Sequence, residues 1–410
     1  MTRSNHPSEV LDAESHAQKA ASDKVGAAMS RHAPRRKIFF LLDSLNVGGT
    51  EVQAVELALR LDPGRYDITL GCLRVRGPLL ERLKGSSVAV RQFYPKGGAD
   101  SIRGVCQIFR LAWCLRRERY QIFHAHDLYA NVMGIPAAVL ARVPVIISSQ
   151  RDLAHLDLYR TKRRVWLRRL QKLASAVLTN ANAVREAVLA EGHFAPGKVR
   201  VIHNGVDLER FSRRSNDRNW LTLSTGEKCV VLVGSMYSDV KGHPTLIQAA
   251  AEVVREFPGV HFLLVGDGVR RKDFESLVER RGLQSSFHFL GRRDDVPRIL
   301  SCCDIAVLPS KAEGLPNAVL EYLAAGLPTI ATSVGGNVEI LQNEKTGLLI
   351  PPEDSSALAQ ALLRLLRDPV FASELGNNGR DFVAAEFSFQ RMIEHTDQMY
   401  TELLHARGVE

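Results

Sequence analysis

The sequence has few of the features that mark a membrane-spanning, disulfide-rich or metal-binding protein. Its six cysteines are scattered along 410 residues without a Cys-x-x-Cys pair or metal-ligand spacing, so we interpret them as free thiols in a reducing compartment. No segment approaches the ~20 consecutive apolar residues that a membrane-spanning helix needs. Residues 1–34 are polar and contain no apolar block of the signal-peptide type, and we interpret them as a disordered tail. These features predict a cytoplasmic protein.

Positive charge is abundant and unevenly distributed. The formal net charge is +9, and residues 151–172 contain eight lysines and arginines against two acidic residues, Asp152 and Asp157. Within 158–173 the apolar residues recur at helical spacing, which is typical of a basic amphipathic helix on anionic lipid or phosphate. A solvated helix whose apolar side belongs to the core is the alternative. We predict peripheral contact of 158–173 with an anionic membrane, at the inner face of the plasma membrane.

Apolar runs of β type alternate with helical segments along the chain, which is typical of parallel sheets covered on both faces. The strand candidates are residues 37–45, 66–74, 88–95, 121–127, 143–150, 175–180 and 198–206, followed by 229–235, 260–268, 287–293, 304–310, 328–333 and 346–352. The sequence therefore predicts an α/β fold of two Rossmann-like, doubly wound parallel-sheet domains, 35–207 and 229–386, joined by a polar linker at 208–228. Ligands of such sheets bind at the carboxyl ends of the strands, so we expect the site in the cleft between the domains.

Two glutamates separated by seven residues stand out in the stretch KAEGLPNAVLEYLAAGLPTIATSVGG, residues 311–336. The pattern places Glu313 on a loop, and Glu321 one to two turns into a helix that starts at Pro316 and ends at Gly326. A helix N-terminus offers free N–H groups and a partial positive charge, which suit a phosphate. This favours a bound nucleotide sugar over the alternative, a glycosidase in which two carboxylates flank one bond.

Several motifs in a fixed order indicate a wider resemblance. They are NVGGTEVQAVELA, HAHDLYANVMG, VIHNGVDLERF, LVGSMYSDVKGHPTLIQAA, LLVGDG, FLGRRDDVPRIL and EGLPNAVLE. From Arg36 to about Leu404 the chain resembles the family-four glycosyltransferases, retaining enzymes of the GT-B fold that move a sugar from a nucleotide diphosphate to an acceptor. The resemblance implies that the C-terminal helix, 387–406, crosses back to complete the first, acceptor-binding domain. It also implies that the leaving phosphate helps to deprotonate the acceptor.

The same resemblance implies the residues that bind the donor in the second domain. Glu313 would contact the hydroxyls of the donor sugar, and Glu321 would accept hydrogen bonds from the hydroxyls of the ribose. The backbone N–H groups of Gly314, Leu315 and Asn317 would hold the sugar and the phosphate.

The diphosphate is expected at the segment GSMYSDVKG, which begins with Gly234. Lys241 matches the lysine that neutralises the leaving diphosphate, where charge-assisted contacts matter most. Ser235 is a departure, because the family usually has an arginine at this position. Gly266, in VGDG, is expected beside the nucleotide base. Three basic residues are candidates for the missing cation, and they are Arg292, Arg293 and Lys311.

In the first domain, Gly48 and Gly49 join a strand to a helix and allow a ligand to approach the backbone closely; a plain tight turn is the alternative. His124 and His126 share one face of a strand. The resemblance implies a histidine near the transferred sugar at this position. We expect it to be His126, nearer the carboxyl end of the strand, with a structural histidine as the alternative. No third metal ligand stands nearby, and Asp295 is expected to cap a helix, so we predict no metal.

The sequence thus predicts a retaining glycosyltransferase of the hexosyltransferase type, with Glu313, His126 and Lys241 as catalytic residues. The expected acceptor is a saccharide or a lipid-linked saccharide, in cell-surface polysaccharide or glycolipid biosynthesis. No cofactor is expected beyond the nucleotide-diphosphate sugar, which is a co-substrate. One alternative is a nucleotide-sugar epimerase of the same architecture, which would need no acceptor. Another is a basic nucleic-acid-binding protein with salt-dependent binding, but interleaved aromatic residues are missing, so we expect no nucleic-acid partner.

Overall fold

The computed structural model of the chain describes residues 35–74, 77–93, 102–153, 161–212 and 226–409. The predicted disordered tail, 1–34, and residues 213–225 of the predicted linker lie outside the described residues. Within the part of the chain that is described, no helix is long and apolar enough to cross a membrane.

The first sheet contains seven parallel strands. In chain order they are β1 Arg36–Ser44, β2 Tyr66–Arg74, β3 Ala89–Gln92, β4 Ile122–Ala125, β5 Val145–Gln150, β6 Ala176–Thr179 and β7 Val199–Val201. Their order in the sheet is β3-β2-β1-β4-β5-β6-β7. The helices that follow these strands are α1 Gly49–Arg60, α2 Leu79–Leu83, α3 Ile102–Arg117, α4 Leu128–Leu140, α5 Thr161–Leu173, α6 Asn182–Ala190 and α7 Leu208–Phe211.

The second sheet contains six parallel strands. They are β8 Lys228–Val233, β9 Val260–Val265, β10 Phe287–Gly291, β11 Ile305–Leu308, β12 Thr329–Thr332 and β13 Leu348–Ile350, and their order in the sheet is β10-β9-β8-β11-β12-β13. The accompanying helices are α8 His243–Glu256, α9 Arg271–Arg280, α10 Val296–Ser301, α11 Asn317–Ala324, α12 Asn337–Ile340, α13 Ser355–Arg367 and α14 Pro369–Glu386. The last helix, α15, spans Phe389–His405.

Strand β1 shows why the strands had to be nearly continuous apolar runs. Ile38, Phe40 and Leu42 pack into the core on one face of the sheet, whereas Phe39 and Leu41 pack into the core on the other. All five side chains are fully buried. Helices therefore cover both faces, as a parallel sheet requires, and the predicted fold of two doubly wound α/β domains is confirmed.

Helix α15 joins the end of the chain to the first domain. Ser388 caps its N-terminus and forms a bridge with Val206, at the end of the first domain. Met392, Tyr400 and Leu404 of α15 are buried in the same core cluster as Ile38 of β1. The last helix is thus part of the core of the first domain.

In both sheets the direction of winding reverses beside the first strand, because β1 lies between β2 and β4 and β8 lies between β9 and β11. Ligands of doubly wound sheets bind outside the carboxyl ends of the strands at this point. The segments that leave β1 and β4 contain Gly48 and His126, and those that leave β8 and β11 contain Lys241 and Glu313. The topology therefore places the predicted site residues at the edges that face the cleft.

Candidate active site

An ion pair between Lys241 and Glu313 lies at the centre of the second-domain side of the cleft. The Lys241 ammonium donates to both carboxylate oxygens of Glu313, at 2.7 and 2.9 Å, and the Ser310 hydroxyl donates to Oε1 at 2.6 Å. The Glu313 side chain is only 7% exposed and that of Lys241 is 25% exposed. The structure therefore joins two of the predicted catalytic residues in one partly open charged pair.

Glycines hold the backbone close around Lys241. Lys241 ends a short 3₁₀ helix, and Gly242 follows it at φ +75°. A Cβ on Gly242 would lie 1.8 Å from the carbonyl oxygen of Pro309, and a Cβ on Gly234 would lie 3.1 Å from Cγ of Lys241. Position 242 thus requires glycine for two reasons. The backbone there is in the left-handed conformation, and the loop after β11 packs too closely against it to leave room for a side chain.

Gly266 has a structural reason of its own. It adopts φ +139°, and a Cβ there would lie 2.0 Å from the carbonyl oxygen of Gly234. The loops after β8 and β9 therefore pack backbone against backbone, and Ser235 is exposed between them. The predicted contacts of Gly234, Ser235 and Gly266 with a donor stay predictions.

The three cations proposed to replace the missing arginine differ in their partners. Arg293 makes a two-point ion pair with Asp295, at 2.7 Å for both contacts, and Lys311 binds Glu353 at 2.6 Å. Exposed Arg292 donates to the hydroxyl of Tyr237 at 2.6 Å. Asp295 stands at the N-cap position of α10, but its side chain makes no capping hydrogen bond. That predicted role was wrong, because the carboxylate binds the adjacent guanidinium instead.

Asn317 connects the second domain with the first. Its Nδ2 donates to the carbonyl oxygen of Gly49 at 3.2 Å, and its Oδ1 accepts from Asn204 Nδ2 at 2.8 Å and from Gln53 Nε2 at 3.2 Å. Helix α11 begins at this residue, and Pro316 occupies the N-cap position in an extended conformation. The predicted helix start at Pro316 was therefore one residue early.

Asn204 also reaches the loop before α11, since its Nδ2 donates to the carbonyl oxygen of Leu315 at 3.0 Å. The side chain of Leu315 is buried. First-domain amides therefore contact two of the residues, Leu315 and Asn317, that the sequence predicts to bind the donor. Asn204, in a loop, and Gln53, within α1, were missed by sequence reasoning, because a single amide side chain gives no distinctive pattern.

Glu321 faces a different environment from Glu313. It lies one turn after Asn317 and lines a pocket with residues of α1 and α7, including Gln53, Arg210 and Phe211. Burial raises the pKa of Glu321 to about 7, and the charge of Arg210 opposes this shift. The two glutamates thus have separate partners, which is unlike a glycosidase pair flanking one bond.

The two histidines of β4 and its following loop have opposite environments. The ring of His124 contacts the Tyr400 hydroxyl at 2.7 Å through Nδ1 and the Ser149 hydroxyl at 2.8 Å through Nε2. His126 stacks on that ring at 4.0 Å and is 1% exposed, yet among the described residues neither of its nitrogens has a hydrogen-bond partner. Burial lowers the pKa of His126 well below its usual value, and His124 and Arg151 add to this. The imidazole of His126 is therefore neutral, and its predicted contact with the transferred sugar stays a prediction.

Arg151 is a residue of the cleft that sequence reasoning placed elsewhere. It follows β5 directly, and its carbonyl oxygen lies where a Cβ on Gly314 would approach within 2.1 Å. Its guanidinium donates to Asn204 Oδ1 at 3.1 Å. By charge alone Arg151 belongs to the basic segment 151–172, but its position directly after the predicted strand 143–150 is the signal that could have placed it at the cleft.

Glu339 of α12 links the domains on the other side of the cleft. Its carboxylate accepts from the backbone N–H groups of Asn182 and Ala183, at 2.9 and 3.0 Å, and contacts His203 Nε2 at 2.9 Å. A carboxylate from the second domain thus caps helix α6 of the first. Burial alone would raise the pKa of Glu339, but the hydrogen bonds from His203 and the α6 N-terminus hold it below its usual value.

We expect Glu339→Gln to loosen this interdomain contact and to lower the free energy of unfolding by about 1–2 kcal/mol at pH 7. Because the pKa of Glu339 is lowered in the folded state, its stabilisation is present above the unfolded value of about 4.3 and disappears as pH falls through the folded pKa. Urea unfolding at pH 7 and pH 4 measures the difference. Glu279→Gln on exposed helix α9 is the control, and an equal effect of the two substitutions would contradict the assignment.

Among the residues that the structure describes, no group of three or more His, Cys, Asp or Glu side chains is arranged to hold a metal ion. That the reaction needs neither a metal nor a cofactor remains a prediction. The structure places the Lys241–Glu313 ion pair, neutral His126 and Arg151 on segments that follow the strands of two Rossmann-like domains, and this two-domain architecture is that of the GT-B glycosyltransferases.

Comparison with known families agrees with this class. Residues 47–210 match the model described as Glycosyltransferase Family 4, and residues 227–368 match the model described as Glycosyl transferases group 1. Together the two models account for more than half of the chain. The protein belongs to this glycosyltransferase family, and the predicted family and enzyme class are confirmed.

Individual relatives point the same way. The chain is 29% identical over 355 residues to the Escherichia coli UDP-Gal:alpha-D-GlcNAc-diphosphoundecaprenol alpha-1,3-galactosyltransferase. The aligned region covers 83% of this chain and 90% of that protein. It is 26% identical to the alpha-D-kanosaminyltransferase of Streptomyces kanamyceticus, over 70% of this chain and 79% of that one. The crystal structure of Anabaena HepE in complex with UDP and glucose is similar in fold, with a TM-score of 0.81, 23% identity and coverage of 90% of this chain and all of that one. These relatives support a glycosyltransferase rather than an epimerase.

Proposed function

We propose that this glycosyltransferase moves a sugar, with retention of the anomeric configuration, from a nucleotide diphosphate to a saccharide or lipid-linked acceptor of a cell-surface polysaccharide or glycolipid. The observation that supports this most directly is the ion pair of Lys241 and Glu313 at the cleft. A nucleotide diphosphate entering there replaces the carboxylate as the partner of the Lys241 ammonium. Glu313 is then free to accept hydrogen bonds from the sugar hydroxyls.

In the proposed reaction the bond between the anomeric carbon and the diphosphate oxygen breaks, and its electron pair stays on the diphosphate. Lys241 and the N-terminus of α11 stabilise this negative charge. The acceptor hydroxyl attacks the same face of the sugar, and its proton passes to the departing phosphate oxygen. His126 orients the sugar through its neutral ring nitrogens, and the interdomain contacts of Asn317 keep water out of the cleft.

The choice of donor is tested by calorimetry with a panel of UDP, GDP and ADP sugars against the purified full-length protein. UDP sugars are the first to test, since UDP is named for the E. coli relative and is bound in the HepE structure. We expect binding of at least one of them and release of its nucleotide when a saccharide acceptor is added. Binding of none, or turnover with inversion of the anomeric centre by NMR, would overturn the proposal.

The pKa of Glu321 leads to a specific pH dependence of nucleotide binding. As a carboxylate, Glu321 accepts hydrogen bonds from both ribose hydroxyls, and below its pKa of about 7 it is protonated and loses acceptor capacity. We expect the wild type to bind UDP about tenfold more tightly than Glu321→Gln at pH 8, and the ratio to approach one at pH 5.5. The comparison of the two proteins at each pH cancels the titration of UDP itself.

Acceptor access at a membrane surface is supported by an exposed aromatic face on the first domain. Helices α3 and α5 both pack against α4, and they present Phe109, Trp113 and Trp166 to solvent, each at least 60% exposed. Arg110 and Arg169 are exposed beside them. Aromatic residues with neighbouring positive charge suit the interface of an anionic membrane. The proposed location is the cytoplasmic face of the plasma membrane.

Part of the predicted membrane segment lies elsewhere. Residues 158–160 are outside the described residues, whereas Arg168 is 3% exposed and binds Glu191 and Gln150 in the interior. Leu170 is buried as well. Including Arg168 in the lipid-facing surface was wrong. Its guanidinium is bound by buried partners, and moving it to the surface would leave the Glu191 carboxylate without its ion-pair partner. Among the side chains of α5 that the structure describes, the exposed ones are Val165, Trp166, Arg169, Lys172 and Leu173.

We expect the double substitution Trp113→Ala and Trp166→Ala to weaken partitioning onto vesicles with about 30% anionic lipid by tenfold or more, since each exposed indole loses apolar contact with the interface. Sedimentation with vesicles measures the partition. Val370→Ala, at an equally exposed apolar position of the second domain, is the control. Equal partitioning of the double variant and the wild type would remove the support for this surface.

A further inference from the structure

The charge balance of the cleft identifies a second phosphate-binding group. A diphosphate has more than one negative charge, but the charge of Lys241 is already offset by Glu313. Ser235 supplies no cation, and Arg293 and Lys311 have carboxylate partners of their own. Of the second-domain cations considered for the diphosphate, Lys241, Arg293 and Lys311 thus pair with carboxylates, and exposed Arg292 contacts a neutral hydroxyl. A cation of the first domain that lies at the cleft would add to this limited positive charge.

Arg151 is a first-domain cation at the cleft, where its carbonyl oxygen packs against Gly314 of the second domain. Its only hydrogen bond among the described residues goes to a neutral group, Asn204 Oδ1, at 3.1 Å, and its buried Nε has no partner there. Glu51 is the acidic residue whose charge acts on Arg151, yet no ion pair joins the two within the described residues. A half-buried guanidinium that lacks a carboxylate is costly unless a ligand compensates it.

Other buried polar atoms near Arg151 also lack hydrogen-bond partners among the described residues. Both ring nitrogens of His126 and the Oδ1 of Asn180 are buried and without partners in the described part of the chain. Asn180 Oδ1 and the Arg151 carbonyl oxygen flank Gly314, at 3.2 and 2.1 Å from an added Cβ. Arg151 acts electrostatically on His126. Buried polar atoms are normally satisfied, and this cluster of exceptions lies beside the residues expected to bind the donor sugar.

We propose that Arg151 binds a phosphate group in the cleft and so replaces the cation that position 235 lacks. A guanidinium is suited to this role because it offers several N–H donors in a planar fork that matches phosphate oxygens. The proposal rests on the proposed function for the identity of its ligand. Two sources fit the same chemistry: the diphosphate of the donor, or a phosphate next to the reacting sugar of a lipid-diphosphate acceptor.

Calorimetry with two probes distinguishes these sources. UDP is titrated into the wild type, Arg151→Gln and Arg151→Lys, and hexyl diphosphate is then titrated into each protein saturated with UDP. Loss of a charged hydrogen-bond partner is expected to weaken binding of one probe by about 10- to 100-fold in Arg151→Gln, with partial recovery in Arg151→Lys. A weaker UDP titration assigns the donor diphosphate, and a weaker hexyl diphosphate titration assigns the acceptor phosphate.

Arg255→Gln, at an exposed position of α8 in the second domain, is the matched control. Thermal unfolding of each variant shows whether the fold is intact, and Arg151→Lys keeps the test decisive if the glutamine variant does not fold. Unchanged affinity for both probes in a folded Arg151 variant overturns the proposal. If phosphate binding depends on Arg151 but the wild type turns over no nucleotide sugar, the phosphate site stands and the proposed transferase reaction falls.

Discussion

Replacing Lys241 with alanine is expected to lower kcat about 100- to 1,000-fold, the usual loss when one group that stabilises a developing negative charge is removed. The ammonium is held at the cleft by Glu313 and by the turn at Gly242, so its position is fixed before the diphosphate departs. Steady-state kinetics with the best nucleotide sugar measure the loss. Lys228→Ala is the matched control, because that lysine also pairs with a carboxylate, Asp304, but begins β8 and so lies away from the carboxyl ends of the strands.

The Lys241 prediction extends to its partner. Glu313→Ala is also expected to lower kcat by at least 100-fold, since it removes the proposed sugar contact and leaves Lys241 without its ion-pair partner. The double variant is expected to lose little more than either single variant, because residues that act as a unit have non-additive effects. Additive losses in this double-mutant cycle would show that the two residues act separately, and near wild-type turnover of Lys241→Ala would contradict the proposed mechanism.

Substitutions of the two histidines are expected to differ in effect: one lowers turnover, and the other lowers the stability of the fold. His126→Phe should lower turnover about 100-fold or more without destabilising the protein, because the described residues offer its buried nitrogens no hydrogen bonds to lose. His124→Phe should instead destabilise the protein by about 1–3 kcal/mol for each buried hydroxyl left unpaired, namely those of Tyr400 and Ser149. Phenylalanine keeps a ring in each position, so the two variants differ only in which nitrogens are removed.

Urea unfolding and kinetics on both variants test this pair of predictions, and each variant is the control for the other. A strong destabilisation by His126→Phe with little loss of kcat would assign His126 a structural role. The reverse result, a stable and inactive His124→Phe, would place the ligand beside the other ring.

The fold could be predicted from the sequence because its signals are local. The thirteen strands appear as apolar runs such as KIFFLL, and the structure confirms them as two parallel sheets of seven and six strands. Strand ends were less certain: the segment 198–206 was predicted as one strand, but β7 ends at Val201. The residues after it are bound by side chains of α1 and α11, and partners so distant in the chain leave no local pattern.

The site was predicted in its residue types but not in its contacts. Spacing and resemblance selected Glu313, Lys241 and His126, yet they gave no indication that Lys241 would pair with Glu313 across 72 positions of the chain. Charge alone grouped Arg151 with Arg168. The structure separates them, since Arg168 is held by Glu191 while Arg151 turns to the cleft.

The sequence by itself determined the two-sheet architecture and the family. Apolar periodicity and ordered motifs occur within short, contiguous segments, so they can be recognised without knowledge of tertiary contacts. Only the tertiary structure decided which histidine has its hydrogen bonds satisfied, which arginine lacks a carboxylate and which acid caps a helix of the other domain. Those properties depend on burial and on partners brought together by folding, and the cost of an unsatisfied buried group exists only once water has been excluded.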